Sequence, residues 1–326
     1  MRAVILNTFL EKFPGEDELD NLQETKAVEK ALKELGFKIE IVSFPLDINK
    51  TINSLKKIKP DFVFNLVESI EGNGSFIYFA TAILDSLRIP YTGNKTDAMY
   101  ITSNKVVTKE ILQDHKIRVP KWLRLNEINS KPTLRKKKII IKHVWEHASR
   151  GIDDDAIFFA EDEKKLKNAL NKRKDLENYF AEEFIEGREF NISLIEDSEG
   201  VHVLSPAEMH FTNYPKHKDK VVNYKAKWDE KSFEYKNTVR SFDIPKKDKK
   251  LLISLKKISK RIWDIFNLNG YARVDFRIDK QGKPYVLEIN TNPGIAPDSG
   301  FIAACEKEGM TYKQVISKLI TEVCKK

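Results

Sequence analysis

Cysteine is scarce: Cys305 and Cys324 are the only two in 326 residues. So few exclude a disulfide framework, and Cys305, set in a helical apolar pattern, reads as a small core residue. Long apolar runs are missing too, so no segment reads as a membrane span. Arg2-Ala3-Val4-Ile5-Leu6 is too short for the h-region of a signal peptide and reads as a buried first strand. The expectation is a cytoplasmic protein that does not engage a membrane. The net charge is +8, yet no basic stripe interleaved with aromatics accompanies it. The lysines fall in short clusters, such as Arg135 to Lys138 and Lys246 to Lys250, that suit a solvated surface and argue against a nucleic-acid partner. His143 and His147 are spaced four apart without a cysteine or third ligand, so they make no zinc site. Asp153-Asp154-Asp155 lacks the spacing of a calcium loop and reads as a solvated turn.

What the chain does have is 41% hydrophobic and 33% charged residues, enough for two or three packed globular units. Residues 1–94 alternate strand and helix. Ala3 to Asn7 is a strand, Glu18 to Leu35 a helix closed by Gly36, Phe37 to Phe44 a strand, and Ile48 to Ile58 a helix. Asp61 to Val67 is almost continuously apolar, as a buried parallel strand should be, and Ser75 to Leu87 is helical. This order predicts a small doubly wound parallel sheet, whose strand ends would place Asn7-Thr8, Asn65 and Glu68 to Gly74 at the rim of a site. Beyond it, Ser103 is placed to cap a helix running to Gln113, with Lys105 on its first turn. Lys138 to Lys142 and Tyr179 to Ile185 read as strands. Residues 201–241 are polar and irregular, and Leu251 to Phe266 is an amphipathic helix. Ser299 stands before the helix Phe301 to Lys307, where it reads as an N-cap and also as a carboxylate-binding terminus. Thr311 and Gln314 form a capping box for the last helix.

The densest chemistry lies between Gly270 and Gly300. On one strand Ala272, Val274, Phe276 and Ile278 alternate with Arg273, Asp275, Arg277 and Asp279. On the return strand Tyr285, Leu287 and Ile289 alternate with Val286, Glu288 and Asn290. If both apolar sets face one core, Asp275, Glu288 and Asn290 share the opposite face with Arg273. Hard oxygen donors on a rigid face suit Mg²⁺, which takes one or two carboxylates plus substrate phosphates; an exposed face carrying ordinary salt bridges is the alternative.

Arg273-Val274-Asp275, then Glu288-Ile289-Asn290-Thr291 with Pro293-Gly294, then Ser299, resemble in their order the carboxy-terminal signature of D-alanine–D-alanine ligases, in the ATP-grasp superfamily. Asp61 to Gly93 resembles the first domain of that family, down to Ile89-Pro90-Tyr91-Thr92-Gly93. The resemblance implies an α/β chain, α+β in its ATP-binding part: an ATP-grasp fold preceded by a small doubly wound parallel α/β domain. Its units would be 1–94, 95–182 and 183–326. The activity implied is a ligase that joins a carboxylate to an amine with ATP and Mg²⁺ (Mn²⁺ as the alternative), through an acyl phosphate.

Site residues follow from the same resemblance. Lys105, Lys142 and Lys227 would meet the ATP phosphates, under a mobile loop at His147-Ala148-Ser149-Arg150-Gly151 in which Ser149 keeps its place. Glu182, Glu183 and Ile185 would line adenine and Glu189 the ribose. Asp275, Glu288 and Asn290 would hold metal, and Arg273 would stabilise the oxyanion. Ser299 and Gly294 would face substrate. Tyr224, Ala226 and Lys227 match a lid in which Trp228 replaces the usual tyrosine and leaves the acceptor open. The family's glycine-rich first loop is replaced by Asn7-Thr8-Phe9-Leu10-Glu11, and its His-Gly by Asn65-Leu66-Val67-Glu68, so Glu68 is the candidate to anchor the first substrate's amine. Three functions stay open: D-alanyl-D-alanine synthesis on the route to peptidoglycan, the same chemistry on other amino acids or peptides, and non-catalytic binding of nucleotide or nucleic acid. Small-molecule substrates are the expected partners, with a homodimer open as the assembly.

Overall fold

The computed structural model describes residues 1–10, 15–128, 134–146, 149, 151–152 and 155–324. Its first part runs β1 (Arg2–Thr8), α1 (Glu16–Glu34), β2 (Lys38–Phe44), α2 (Ile48–Ile58), β3 (Phe62–Leu66), α3 (Tyr78–Ser86), α4 (Thr96–Ser103) and α5 (Lys105–Asp114). Next come β4 (Trp122–Arg124), β5 (Lys137–His143), β6 (Ile157–Ala160), α6 (Glu163–Asn171), β7 (Tyr179–Glu183), β8 (Gly187–Asp197), β9 (Gly200–Val203) and β10 (Ala207–Phe211). The chain continues through α7 (Tyr224–Trp228), α8 (Phe233–Asn237), β11 (Thr238–Ser241), α9 (Lys249–Ile265), β12 (Tyr271–Asp279), β13 (Pro284–Asn290), α10 (Gly300–Lys307) and α11 (Tyr312–Cys324).

Three sheets result. The first is parallel, in the order β2-β1-β3. Val4 and Val63 pack toward α2 and α3 on Leu55, Ala80 and Leu84. Ile5 and Phe64 pack the other way on Val28 and Leu32 of α1 and on Val315 and Leu319 of α11. Cover on both faces is why β1 and β3 read as unbroken apolar runs. The last helix therefore completes the core of the first sheet, a long-range arrangement that no local pattern announces. Gly36 ends α1 in the left-handed region at φ +88°, and Phe37 N–H bonds Leu32 O at 3.1 Å to satisfy a terminal carbonyl.

The second sheet is antiparallel, β4-β7-β5-β6, and the third is β11-β10-β8-β12-β13 with β9 also on β8. Helix α9 lays Leu255, Ile262 and Trp263 against Phe190, Ile192, Val274 and Phe276 of the third sheet. Asn94 ties the exit of the first unit to this sheet, donating from Nδ2 to both Tyr271 O and Thr291 O at 2.7 Å. Among the described residues no helix is long and apolar enough to cross a membrane.

Three readings of the sequence need correction. Ser103 does not cap the helix that carries Lys105; it ends α4 and donates to Met99 O at 2.6 Å. Asn104 is the cap, accepting from Val106 and Val107 N–H at 3.1 Å. Residues 201–241 are not irregular, since they hold β9, β10, α7, α8 and β11; strands and helices this short show too few repeats for a period to register. On the return strand, Tyr285 and Leu287 do not join Ile289 in the core. The register slips between Asp275 and Phe276, which pair with Glu288 and Val286 respectively, so Leu287 is an inserted bulge residue. The bulge makes Val286 and Ile289 the buried pair, while Glu288 and Asn290 stay on the face opposite the core.

Candidate active site

At the end of the β12–β13 hairpin, Asp275 is buried and densely hydrogen-bonded. Arg273 donates to it from Nε at 2.8 Å and Nη2 at 2.9 Å. Asn191 of β8 donates at 2.7 Å and Asn290 at 3.1 Å. A carboxylate offers about four lone-pair directions, and these contacts take them. Asp275 raises the pKa of Arg273 above its ordinary value, against the burial that opposes it. Glu288 lies directly across from Asp275 and only part-buried, its Oε2 at 3.6 Å from Lys105 Nζ. Among the described residues no group of three or more His, Cys, Asp or Glu could hold a metal alone. The donor set is two carboxylates and an amide, which suits an ion that completes its shell with phosphate oxygens.

Four lysines face this hairpin. Lys105, the first residue of α5, donates to Glu146 O; burial lowers its pKa, and Lys142 and Lys227 add repulsion that Glu288 offsets. Lys142 on β5 bonds Glu182 Oε1 at 2.8 Å. Lys109, one turn beyond Lys105, lies 2.5 Å from Glu182 Oε2, and both side chains are only 1% exposed. Burial pushes the Glu182 carboxyl up, but Lys109 and Lys142 outweigh it and hold it below the usual range. Lys227 comes from α7, capped by Asn223 through Ala226 N–H at 2.9 Å. Burial and the Arg273 guanidinium lower its pKa, while Glu288, Asp275 and Glu189 act against them. Helix α7, the hairpin and β5 thus share one electrostatic cluster. Of the expected adenine and ribose residues, Glu189 is buried with Arg277 Nε at 3.3 Å, Glu183 pairs with Lys137 at 2.6 Å, and Ile185 is buried between them in sequence.

Ser149 sits at φ +62° and donates to Val222 O of the lid segment at 2.7 Å. His147, Ala148, Arg150, Asp153 and Asp154 lie outside the described residues, as does Glu11. His143 ends β5, and its Nδ1 accepts from the Trp145 and Glu146 amides at 3.2 and 3.1 Å. An acceptor nitrogen must be unprotonated, and burial followed by the Lys105 charge holds the pKa of His143 down, from 6.5 to about 4. A depressed histidine supplies stability that is complete above the unfolded value and is lost as pH falls. The melting temperature should therefore decline as pH drops from 6.5 toward 4, and His143→Asn, which keeps an acceptor but does not titrate, should flatten that decline. Equal slopes for the two proteins would remove His143 from the account.

At the other end, Glu68 follows β3, and its N–H donates to Thr8 Oγ1 at 3.0 Å. A Cβ on Gly294 would lie 3.7 Å from Glu68 Oε1, so the carboxylate rests over the Asn290–Gly294 loop. Behind it is Glu24 of α1, which accepts from Ile295 N at 2.6 Å and Asn21 Nδ2 at 3.1 Å. Burial first, then the Glu68 charge, raise the Glu24 carboxyl well above its ordinary range. Ser299 caps α10, accepting from Ile302 N at 3.3 Å, and Trp228 is half-buried at the end of α7. Glu24, Lys109, Asn191 and Arg240 were not singled out in the sequence. Glu24 and Lys109 look like ordinary helix-surface residues, and nothing local marks them as buried.

Residues 139–321 match the family model described as D-ala D-ala ligase C-terminus. Over 307 residues the chain is 32% identical to a D-alanine–D-alanine ligase of Aquifex aeolicus, covering 92% of this chain and 94% of that one. A D-alanine–D-alanine ligase of Pelagibacter ubique is 27% identical, with 94% of each chain covered. Among solved structures, the D-alanine–D-alanine ligase from Bacillus anthracis complexed with ATP superposes with a TM-score of 0.71 at 18% identity, over 99% of this chain and 97% of that one. D-alanyl-alanine synthetase A from Vibrio cholerae gives 0.72 at 16% identity, over 100% and 99%. These superpositions establish the architecture expected of the sequence, an ATP-grasp fold behind a parallel α/β unit. Joined to the family-model match and to a relative aligned along nearly the whole length, they make the chain a member of the D-alanine–D-alanine ligase family of ATP-dependent ligases.

Proposed function

We propose that the protein joins two D-alanine molecules at the expense of ATP. The carrying observation is the single cluster in which the lid lysine Lys227 feels Arg273, Glu288, Asp275 and Glu189 together, with Lys105 and Lys142 beside it. Those cations suit a triphosphate whose terminal phosphoryl group is transferred. The first D-alanine's carboxylate oxygen attacks the γ-phosphorus, the bond to ADP breaks, and an acyl phosphate forms. The second D-alanine's amine then attacks the acyl carbon and loses a proton. The C–N bond forms as inorganic phosphate leaves.

Each residue has a stated part. Lys105, Lys142 and Lys227 offset phosphate charge, while Glu182, Glu183, Ile185 and Glu189 line the nucleotide. Ser149 and α7 close over it and exclude water. Asp275, Glu288 and Asn290 would hold Mg²⁺, which would neutralise phosphate charge. For that, Arg273 must give up part of its hold on Asp275, and Asn290, whose amide nitrogen faces Asp275 here, must turn its oxygen inward. The released guanidinium is then free for the tetrahedral oxyanion. Glu68, with Glu24 behind it, anchors the first amine. An ATP-consuming reaction of this kind belongs in the cytoplasm.

The test is phosphate release from ATP with Mg²⁺ and D-alanine, with the dipeptide identified by mass. Release that requires D-alanine supports the proposal. A second reading, the same chemistry on another first amino acid, is favoured by the Glu24–Glu68 pair at the candidate amine site, beside a first segment that lacks the family's glycine-rich loop. Release with a different amino acid and none with D-alanine would establish it. No release across a panel of D- and L-amino acids would overturn both.

A further inference from the structure

Among the described residues, three arginines of the third sheet meet carboxylates. Arg188 pairs with Glu208 and Asp248, Arg277 with Glu189, and Arg273 with Asp275. Arg240 differs. It lies on β11 across from Met209, half-buried, and among the described residues no carboxylate is in ion-pair contact with it. Its guanidinium packs on the first turn of α10: a Cβ on Gly300 would stand 3.4 Å from Nη2, 3.5 Å from Nε and 3.6 Å from Cζ. Such near-equal distances mean that the plane of the group faces Gly300. Nη1 reaches Asp298 O at the outer limit of 3.5 Å. Burial first and the Arg273 charge second lower its pKa, with the field of Asp298 as the opposing influence. A half-buried guanidinium beside a second guanidinium is stabilised by an anion placed against it.

The surroundings fit a carboxylate. The first amides of a helix have no acceptor within it, and the dipole there favours negative charge. Arg273, by contrast, points Nε and Nη2 at Asp275, and its part in the reaction proposed above is the oxyanion. We propose that Arg240 is a specificity-determining residue of the acceptor subsite, holding the carboxylate of the incoming amino acid between its guanidinium and the start of α10. This rests on the ligase reading above. Arg273 is thereby left to the oxyanion, and the two arginines divide binding from chemistry. A polar stretch with no motif in it, Thr238 to Ser241, so supplies a substrate contact.

The test is competition for a D-alanine donor between D-alanine and D-alaninamide as acceptors, with the two products separated by mass. D-Alaninamide has the same amine and methyl group but no negative charge. The wild-type enzyme should favour the free acid. Arg240→Met should erase about ten- to a hundredfold of that preference, the range of one charge-assisted hydrogen bond, through a higher KM for D-alanine and with KM for ATP unchanged. Arg240→Lys should fall between and serves as the folded control. An unchanged product ratio in both variants, or equal losses on both acceptors, overturns the assignment of Arg240 while the enzyme remains a ligase. A wild-type protein that makes neither product overturns the ligase reading itself.

Discussion

Glu288→Gln is expected to reduce ATP-dependent phosphate release by about 10²–10³-fold or more, the usual cost of removing one electrostatic group from a reacting centre. Its fold should be nearly untouched. Glu288 is part-buried, its lysine partner stands 3.6 Å away, and glutamine keeps the volume. What changes is charge. Opposite Glu288, Asp275 already carries Arg273, Asn191 and Asn290, so Glu288 is the more accessible of the two carboxylates to an entering divalent ion. Without it the ion has one carboxylate left, and that one is shared with a guanidinium. Lys105, whose charge is already disfavoured by burial, also loses the carboxylate that supports it most. Two readings should therefore move together: turnover falls, and the Mg²⁺ concentration for half-maximal rate rises. Wild-type turnover at ordinary Mg²⁺, with an identified substrate pair, would sink the metal assignment of Glu288.

The sequence showed much of this hairpin. Alternation along 271–279 put Arg273 and Asp275 on one face because strand side chains have period two, and the third sheet bears that out. The return strand was harder. A bulge at Leu287 shifts the phase by one residue, and no residue type there advertises it. The parallel first sheet was legible for a related reason: strands covered on both faces must be apolar throughout. Its cover was not, because α11 arrives from the far end of the chain.

The lid and the caps show the opposite case. Between 201 and 241 the strands and helices are four or five residues long, shorter than any period needs in order to appear. Ser103 and Asn104 are both good N-caps by chemistry, and only the end of α4 decides between them. Glu24 and Lys109 were missed because a charged residue on a helix is normally solvated. Each is buried by what packs across from it: Ile295 and the Glu68 region for Glu24, and the Glu182 strand for Lys109. Local sequence cannot report a partner more than 40 positions away, so polar residues buried by tertiary contact are where a reading of the chain stops.

Lys109 and Glu182 allow the largest expected effect on stability. Glu182 lies between two ammonium groups, Lys142 at 2.8 Å and Lys109 at 2.5 Å. Removing one partner of a buried pair leaves an uncompensated charge, at about 3–5 kcal/mol. In Glu182→Gln two cations lose their counterion at once, and burial with the Lys142 charge already lowers the pKa of Lys109. The chemical denaturation midpoint should fall markedly, with a loss toward the upper part of that range. Lys109→Met alone should cost less, since Glu182 keeps Lys142 and the apolar methionine replaces a stem that is already buried. The double variant is the decisive one. Where Lys109→Met is added to Glu182→Gln, one stranded ammonium disappears, so the pair should be more stable than Glu182→Gln alone. That sign is a coupling that independent sites cannot give. If Glu182→Gln shifts stability by less than about 0.5 kcal/mol, as a surface change would, Glu182 is not the counterion on which these lysines depend. If the losses simply add, Lys109 and Glu182 act separately, and the lysine's place beneath β7 needs another cause.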